Sequence, residues 1–312
     1  MGELSKRIGE HGENLVENYF RLIGWADAQK KFDIRCVKPE KHASSGSRGR
    51  QTHGVDFLFS YSSPLTDGVL NNLVISVKFS NDEYPSNPST MFREHFKELA
   101  ETVECFKKSS DRQSLQSGKQ GIRKVQDIGV LFWLSNSDNT YNDLITKVSS
   151  AYIPDDYAFD AIYIVDNSRM AFVYDAIQFA KREYPNDEID YFYFETGRNI
   201  NPIARHHTGS ILPVEYVNTS VLPLRIALKG TESKVLMLFS IDPFNEANLK
   251  RLIGMTKNLS GGWAQKIALC FSDYKPIEHE NIVQRAKMSF EDQKTTKDLF
   301  VVSYASDFRN LK

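Results

Sequence analysis

Cysteine is scarce in this chain: Cys36, Cys105 and Cys270 are the only three among 312 residues, odd in number and far apart. With no Cys-x-x-Cys pair, neither a disulfide framework nor a thiolate zinc site is expected. The histidines do not change that reading. His206 and His207 are adjacent and point different ways on a strand, and with His42 and His53 they offer no pair at metal-ligand spacing. Long apolar runs are also missing, and nothing approaches the roughly 18 to 20 residues that span a membrane. The first residues, Met1-Gly2-Glu3-Leu4-Ser5-Lys6-Arg7, lead into an amphipathic helix, so no signal peptide is expected and a reducing cytoplasm is the expected setting.

Several chemistries are excluded by the motifs that are lacking. Gly118-Lys119-Gln120-Gly121 and Gly261-Gly262-Trp263 both fail the GxxxxGK[ST] phosphate loop, so no ATPase of that type is encoded. No GxSxG nucleophile elbow occurs. Asp138-Asn139 with Asn142-Asp143 lacks the glycine and the closing glutamate of a calcium-binding loop. There is no internal repeat and no low-complexity tract.

What is present describes a globular chain: 41% apolar and 25% charged residues, with a length that suits about two domains. Leu4, Ile8, Leu15, Val16, Tyr19, Phe20 and Ile23 fall on one stripe of a helix over 3–23, which Gly24 ends. Strands are predicted over 32–37, 55–61 and 73–79, the last two joined by a turn-rich stretch, 62–72. A helix over 89–108 follows, then the continuous apolar run Ile128-Gly129-Val130-Leu131-Phe132-Trp133-Leu134, as in a strand buried on both faces. Helices near 141–150 and 169–184 enclose a strand over 159–165. Pro185-Asn186-Asp187-Glu188 marks the boundary, giving domains 1–184 and 188–312. The second is a smaller α/β domain with strands over 191–195, 214–218, 222–228, 235–241, 266–271 and 299–304, and helices over 245–259 and 279–290. Tyr191-Phe192-Tyr193-Phe194 reads as a buried strand rather than a base-stacking platform.

Charge of one sign is not in excess, since 39 Lys and Arg stand against 40 Asp and Glu. It is unevenly distributed. Lys38, Lys41, Arg48 and Arg50, with His42 and His53, crowd one loop, and Lys107, Lys108, Arg112, Lys119, Arg123 and Lys124 crowd another stretch that reads as a loop. Local positive charge suffices to hold phosphates in a near-neutral protein.

The polar residues that interrupt apolar strands carry the chemistry. In Leu73-Val74-Ile75-Ser76-Val77-Lys78-Phe79, Ser76 and Lys78 share one face of the strand. A lysine there is costly unless something needs it. A hairpin brings Asp56 of the preceding strand beside them. Of the first helix's carboxylates, Glu13 lies at the rim of the apolar stripe, best placed to look into a site on the sheet.

Gly9-x-x-x-Glu13 on a helix, then Asp56, then a strand ending Ser76-Val77-Lys78, in the order α-β-β-β-α-β, resembles the PD-(D/E)XK nuclease superfamily. The likeness is nearest to Mrr-like restriction endonucleases and related phage-defence nucleases, and it covers about residues 1–183. It implies an α/β fold with a restriction-endonuclease-like core, a mixed sheet flanked by helices. It also implies Mg²⁺- or Mn²⁺-dependent cleavage of DNA, double-stranded by expectation. In that scheme Asp56, Glu13 and the carbonyl of Val77 hold the metal, and Lys78 orients and helps deprotonate the attacking water. Lys41, Arg48, Arg50, Lys119, Arg123 and Lys124 would hold phosphates on either side of the site.

Ser76 departs from the family pattern, because an acid usually stands two residues before the lysine. Either Glu13 makes up the lost charge, or metal binds weakly, or the chain is a degenerate DNA-binding or scaffold subunit. The C-terminal domain shows no chemistry, and a homodimer or a defence partner subunit is expected to use it.

Overall fold

The computed structural model describes residues 2–43, 49–137, 143–153, 156–199, 206–290 and 296–306. Its first helix, α1 (Glu3–Ile23), buries Gly12, Val16, Tyr19, Phe20 and Ile23 along the predicted stripe. It stops at Gly24, whose φ of 82° is a left-handed conformation that costs glycine little.

Three strands then form an antiparallel meander: β1 (Gln29–Arg35), β2 (Thr52–Ser62) and β3 (Val69–Ser80). Helix α2 (Ser89–Phe106) and a short α3 (Ser110–Gln116) carry the chain over to β4 (Lys124–Ser135), which runs parallel to β3. Helix α4 (Leu144–Val148) leads to β5 (Ala161–Val165), parallel to β4. The result is a mixed five-stranded sheet in the order β1-β2-β3-β4-β5. Side-chain alternation gives its two faces to different helices. Phe57 and Phe132 meet Phe20 of α1 at ring distances of 5.1 and 5.7 Å. Leu58, Val74, Leu131 and Trp133 instead join Phe92, Phe96, Leu99 and Val103 of α2 in one apolar cluster.

Three local expectations are corrected. The basic stretch 107–124 is not all loop, because α3 lies within it. Ser109 caps that helix by accepting from Arg112 N–H, and the Arg112 side chain donates to buried Asp127 at 2.8 Å. Asn71 and Asn72, taken for turn residues, are buried in β3. The Asn71 amide donates to Tyr61 Oη at 3.2 Å, and the Asn72 amide donates to Asp127 at 3.0 Å while its oxygen accepts from Ser60 Oγ at 2.8 Å, which offsets the penalty of burying Asn72. Residues 214–218 do not form a strand: Val214–Tyr216 is a 3₁₀ turn following Pro213.

The chain divides into two compact units, one of Met1–Met170 with Gly197–Ile203 and Pro213–Asn218, the other of the remaining segments. The second unit contains most of α5 (Asn167–Glu183) and a six-stranded sheet. The strands are β6 (Glu188–Phe192), β7 (Thr208–Gly209), β8 (Val221–Ala227), β9 (Lys234–Ser240), β10 (Lys266–Phe271) and β11 (Leu299–Ser303), in the order β11-β10-β9-β8-β6-β7. Strands β9, β10 and β11 are parallel and the others antiparallel. Leu249, Leu252 and Ile253 of α6 (Glu246–Ser260) and Val283 and Ala286 of α7 (Pro276–Met288) pack with Leu236, Leu238, Leu269 and Phe271. Among the described residues, no helix is long and apolar enough to cross a membrane.

Candidate active site

Strands β2 and β3 pair from Ser62↔Leu70 to Phe57↔Ile75. Asp56 stands next along β2, and its Oδ2 accepts the backbone N–H of Val77 at 2.6 Å, in place of a ladder carbonyl. Asp56 is half-buried, and burial pushes its carboxyl above the usual carboxylate range. The Val77 N–H and the Lys78 charge pull it down, while Glu13 and Glu98 push it further up.

Lys78 Nζ donates to Glu98 Oε2 at 2.7 Å. Glu98 belongs to α2 and was not among the residues picked out from sequence. Burial alone would raise its pKa, but Lys78, with Arg50 and His95, holds it below the ordinary value. His95, one turn earlier on α2, meets Trp133 edge-on at 5.1 Å. Burial first and Lys78 second depress its pKa to about 4, so the ring is neutral at physiological pH. Ser76 and Lys78 are both half-buried and two apart on β3, on one face of the strand.

Glu13 reaches the sheet because α1 sits hard against β3. A Cβ added at Gly12 would lie 2.4 Å from Phe79 Cβ, closer than atoms can approach. Gly12 is therefore the glycine this contact requires. Gly9, the one singled out from sequence, has nothing within 4 Å among the described residues. Glu13 Oε2 pairs with Lys31 Nζ at 2.8 Å. That hydrogen bond, with added attraction from Glu10 and Asp56, raises the Lys31 pKa against a small opposing effect of burial. Lys31 has φ 45°, the one non-glycine in the left-handed region among the described residues. It falls between Lys30↔Phe57 and Phe32↔Val55 in the β1–β2 register, opposite Asp56. Such a conformation costs about 1 kcal/mol or more and persists where the surroundings impose it.

The expected phosphate-binding residues scatter. Arg50 lies beside the site, 3.7 Å from Glu98 and 3.6 Å from Glu101. Lys41 donates to the carbonyl of Asp156 and lies 3.5 Å from Glu104 and 5.0 Å from the centre of the Tyr157 ring. Arg48 is outside the described residues. Lys119 donates to Ser60, Arg123 to the carbonyl of Asp67, and Lys124 pairs with Val69 at the far end of β3. At about 3.3 Å per residue, Val69 is roughly 23 Å along the strand from Ser76. The expectation that this second stretch flanks Lys78 is corrected accordingly. His42 and His53 do not belong to a surface patch either: they are 2% and 0% exposed. Beside them, Cys36 and Cys105, far apart in sequence and without a Cys-x-x-Cys motif, have their sulfurs 4.0 Å from each other.

The donor set around Asp56 suits a hard divalent cation. Glu13 and Glu98 both repel charge on a half-buried Asp56, and Lys78, Lys31 and Arg50 offset the three carboxylates. All the candidate ligands are oxygens, the donors that Mg²⁺ and Mn²⁺ take. Sequence alone missed Glu98, His95 and Lys31. Four acids, Glu94, Glu98, Glu101 and Glu104, are spread along an otherwise amphipathic α2, and nothing local singles out one of them.

A family model for the GAPS4 protein PD-(D/E)XK nuclease domain matches residues 1–169, over half of the chain and the whole stretch holding Glu13, Asp56, Lys78 and Glu98. No curated protein and no solved structure gives a match. With a mixed sheet flanked by helices and an acid-and-lysine cluster where β2 and β3 part, the chain belongs to the GAPS4 PD-(D/E)XK nuclease domain family.

Proposed function

We propose that this chain hydrolyses phosphodiester bonds in double-stranded DNA, using Mg²⁺ or Mn²⁺, in cytoplasmic defence against phage or other foreign DNA. The observation that carries the reading is the meeting of Asp56, Lys78 and Glu98 where β2 and β3 separate. Asp56 and Glu13, with the Val77 carbonyl, would hold the cation. When bound, the cation lowers the pKa of the attacking water and shields the phosphate oxygens. Lys78 then serves as a fixed positive charge toward the phosphate oxygen on which negative charge grows. Glu98 keeps that ammonium aimed, and it supplies from α2 the carboxylate that Ser76 does not supply from β3. Lys31 holds Glu13 in place. Arg50, beside Glu98, and Lys41, Arg48, Lys119, Arg123 and Lys124 further off would contact phosphates, which position a duplex without reading its sequence. We assign nuclease function to residues 1–184, in the manner of Mrr-like enzymes, and self-association or binding of a defence partner to 188–312.

A second reading is favoured by Ser76: a catalytically degenerate subunit that binds DNA or scaffolds an active partner. Digestion of linear and supercoiled DNA with Mg²⁺ or Mn²⁺, beside Lys78→Ala and with binding measured on the same samples, separates the two. Cutting that requires both the metal and Lys78 is the expected result. Binding by the folded chain without cutting moves the degenerate reading to the front.

A further inference from the structure

Four potential metal ligands from four parts of the chain meet in the interior of the first unit, and none of them is one of the active-site carboxylates. Cys36 follows β1, His42 lies in the connection to β2, His53 is the second residue of β2, and Cys105 sits in the last turn of α2. All four are buried, and their donor atoms lie within 4.8 Å of one another. His42 Nδ1 is 3.4 Å from Cys36 Sγ, 3.4 Å from Cys105 Sγ and 3.3 Å from His53 Nε2, and the two sulfurs are 4.0 Å apart.

Hydrogen bonding within the cluster does not account for this arrangement. A ring nitrogen has either one proton or one lone pair in its plane, so His42 Nδ1 can make one good hydrogen bond, not three. A shared cation satisfies all the donors at once. For zinc, with Zn–S about 2.3 Å and Zn–N about 2.0–2.1 Å, a regular tetrahedron has edges of about 3.8 Å between sulfurs, 3.6 Å between sulfur and nitrogen, and 3.3 Å between nitrogens. The measured separations fall within a few tenths of an ångström of those edges.

We propose that Cys36, His42, His53 and Cys105 form a closed, structural Cys₂His₂ zinc site. The outer contacts have the form such a site needs. His42 turns its other nitrogen, Nε2, to Glu104 Oε2 at 2.9 Å, which fixes the tautomer with Nδ1 free to bind metal. His53 turns Nδ1 toward Thr102 Oγ1 at 3.5 Å, and the N–H of Val37 points at Cys105 Sγ at 3.4 Å. Two thiolates and two neutral imidazoles balance the charge of the dication, while Lys38 at 2.9 Å and Lys41 at 3.5 Å balance Glu104 outside it. Thiolate and imidazole donors select zinc over Mg²⁺, so this site and the carboxylate site take different ions. The zinc ties α2 to the start of β2. His53 is three residues from Asp56, and Cys105 lies two helical turns from Glu98 on the same side of α2.

The test measures zinc by mass spectrometry in the full chain purified under reducing conditions without chelator, together with the visible spectrum of the chain reconstituted with Co²⁺. The expected result is stoichiometric zinc, a cobalt spectrum of tetrahedral thiolate ligation, and loss of both in Cys36→Ser and in Cys105→Ser. Cys270→Ser and Lys78→Ala should keep their zinc, which distinguishes this site from the nuclease site. Removing the metal from the unaltered chain should lower its melting temperature by about 10 °C or more, reversed by adding zinc. That measurement decides the matter if the cysteine variants do not fold. A folded chain with neither zinc nor a thiolate-cobalt spectrum, or zinc retained in both cysteine variants, overturns the proposal.

Discussion

Lys78 of β3 and Glu98 of α2 form a 2.7 Å ion pair, so the lysine that ends the apolar strand is held by a carboxylate from a helix and not by an acid on its own strand. If Glu98 stands in for the acid missing at Ser76, Glu98→Gln should lower the initial rate of plasmid cleavage about 10–100-fold with DNA binding unchanged, and Lys78→Ala should lower it 10²-fold or more. Adding Ser76→Glu to Glu98→Gln should recover part of the loss. A Glu98→Gln chain that cuts at the unaltered rate would remove Glu98 from the catalytic machinery.

Burial of Asp56 works against the fold at neutral pH. Its pKa is raised in the folded chain, so the ionised carboxylate costs stability at neutral pH, and that cost fades as pH falls below the folded pKa. Asparagine keeps an acceptor for the Val77 N–H without the charge. Asp56→Asn is expected to raise the melting temperature at pH 7 by roughly 2–4 °C, about 1 kcal/mol, while cleavage is lost. Calorimetry beside the plasmid assay checks both, and a lowered melting temperature would contradict the assignment of burial as the dominant effect.

Lys119, Arg123 and Lys124 lie toward the end of β3 far from Lys78. A duplex lying along the strand would meet Lys124 about nine base pairs from Lys78, at about 3.3 Å per residue and 3.4 Å per base pair. Changing all three to Ala should weaken DNA binding and reduce the slope of log K against log salt by up to about 3, with the single-turnover cleavage rate at saturating protein unchanged. Salt-dependent binding isotherms give the answer. An unaltered slope would mean that these cations never touch DNA.

His95 makes stability depend on pH in a definite direction. Burial and Lys78 hold its folded pKa at about 4, against an ordinary value near 6.5. Between about pH 6.5 and 4 the unfolded chain binds the extra proton, so stability falls as pH falls, by on the order of 1–3 kcal/mol from this residue. Urea unfolding of the unaltered chain and of His95→Gln across that range should show a flatter pH dependence in the variant. Parallel curves would show that His95 takes up its proton in the folded state as readily as in the unfolded one.

Packing density also constrains the first helix. Gly12→Ala forces a methyl into Phe79 and is expected to destabilise the fold by about 1–3 kcal/mol, with cleavage reduced because Glu13 moves with the helix. Gly9→Ala, with open space around it, should leave both nearly unchanged. Chemical denaturation of the two variants side by side distinguishes them.

The parts of this molecule set by local periodicity were legible without coordinates. The stripe of α1, the alternation that puts Ser76 and Lys78 on one face of β3, and the apolar run 128–134 of β4 each follow from residues a few positions apart. Those elements taken in order, with Asp56 and Lys78, carry the resemblance to the nuclease superfamily, whose fold the family match supports. Asn71 and Asn72 misled because turn propensity is a local preference, and buried partners from β2 and β4 overrode it.

Tertiary structure alone decided which residues complete each site. Glu98 is one acid among four along α2, and only the crossover from β3 to β4 brings it to Lys78. Lys31 opposes Asp56 through strand register, and Gly12, not Gly9, meets Phe79 through the depth at which α1 seats on the sheet. The cysteines were the clearest case: Cys36 and Cys105 share no motif spacing, because their four-residue cluster is assembled across a strand end, a loop and the far end of a helix. Sequence spacing reports side chains that one element carries together. Chelation and ion pairing between elements depend on how those elements pack, and burial then makes the pairing obligatory by removing the water that would otherwise satisfy them.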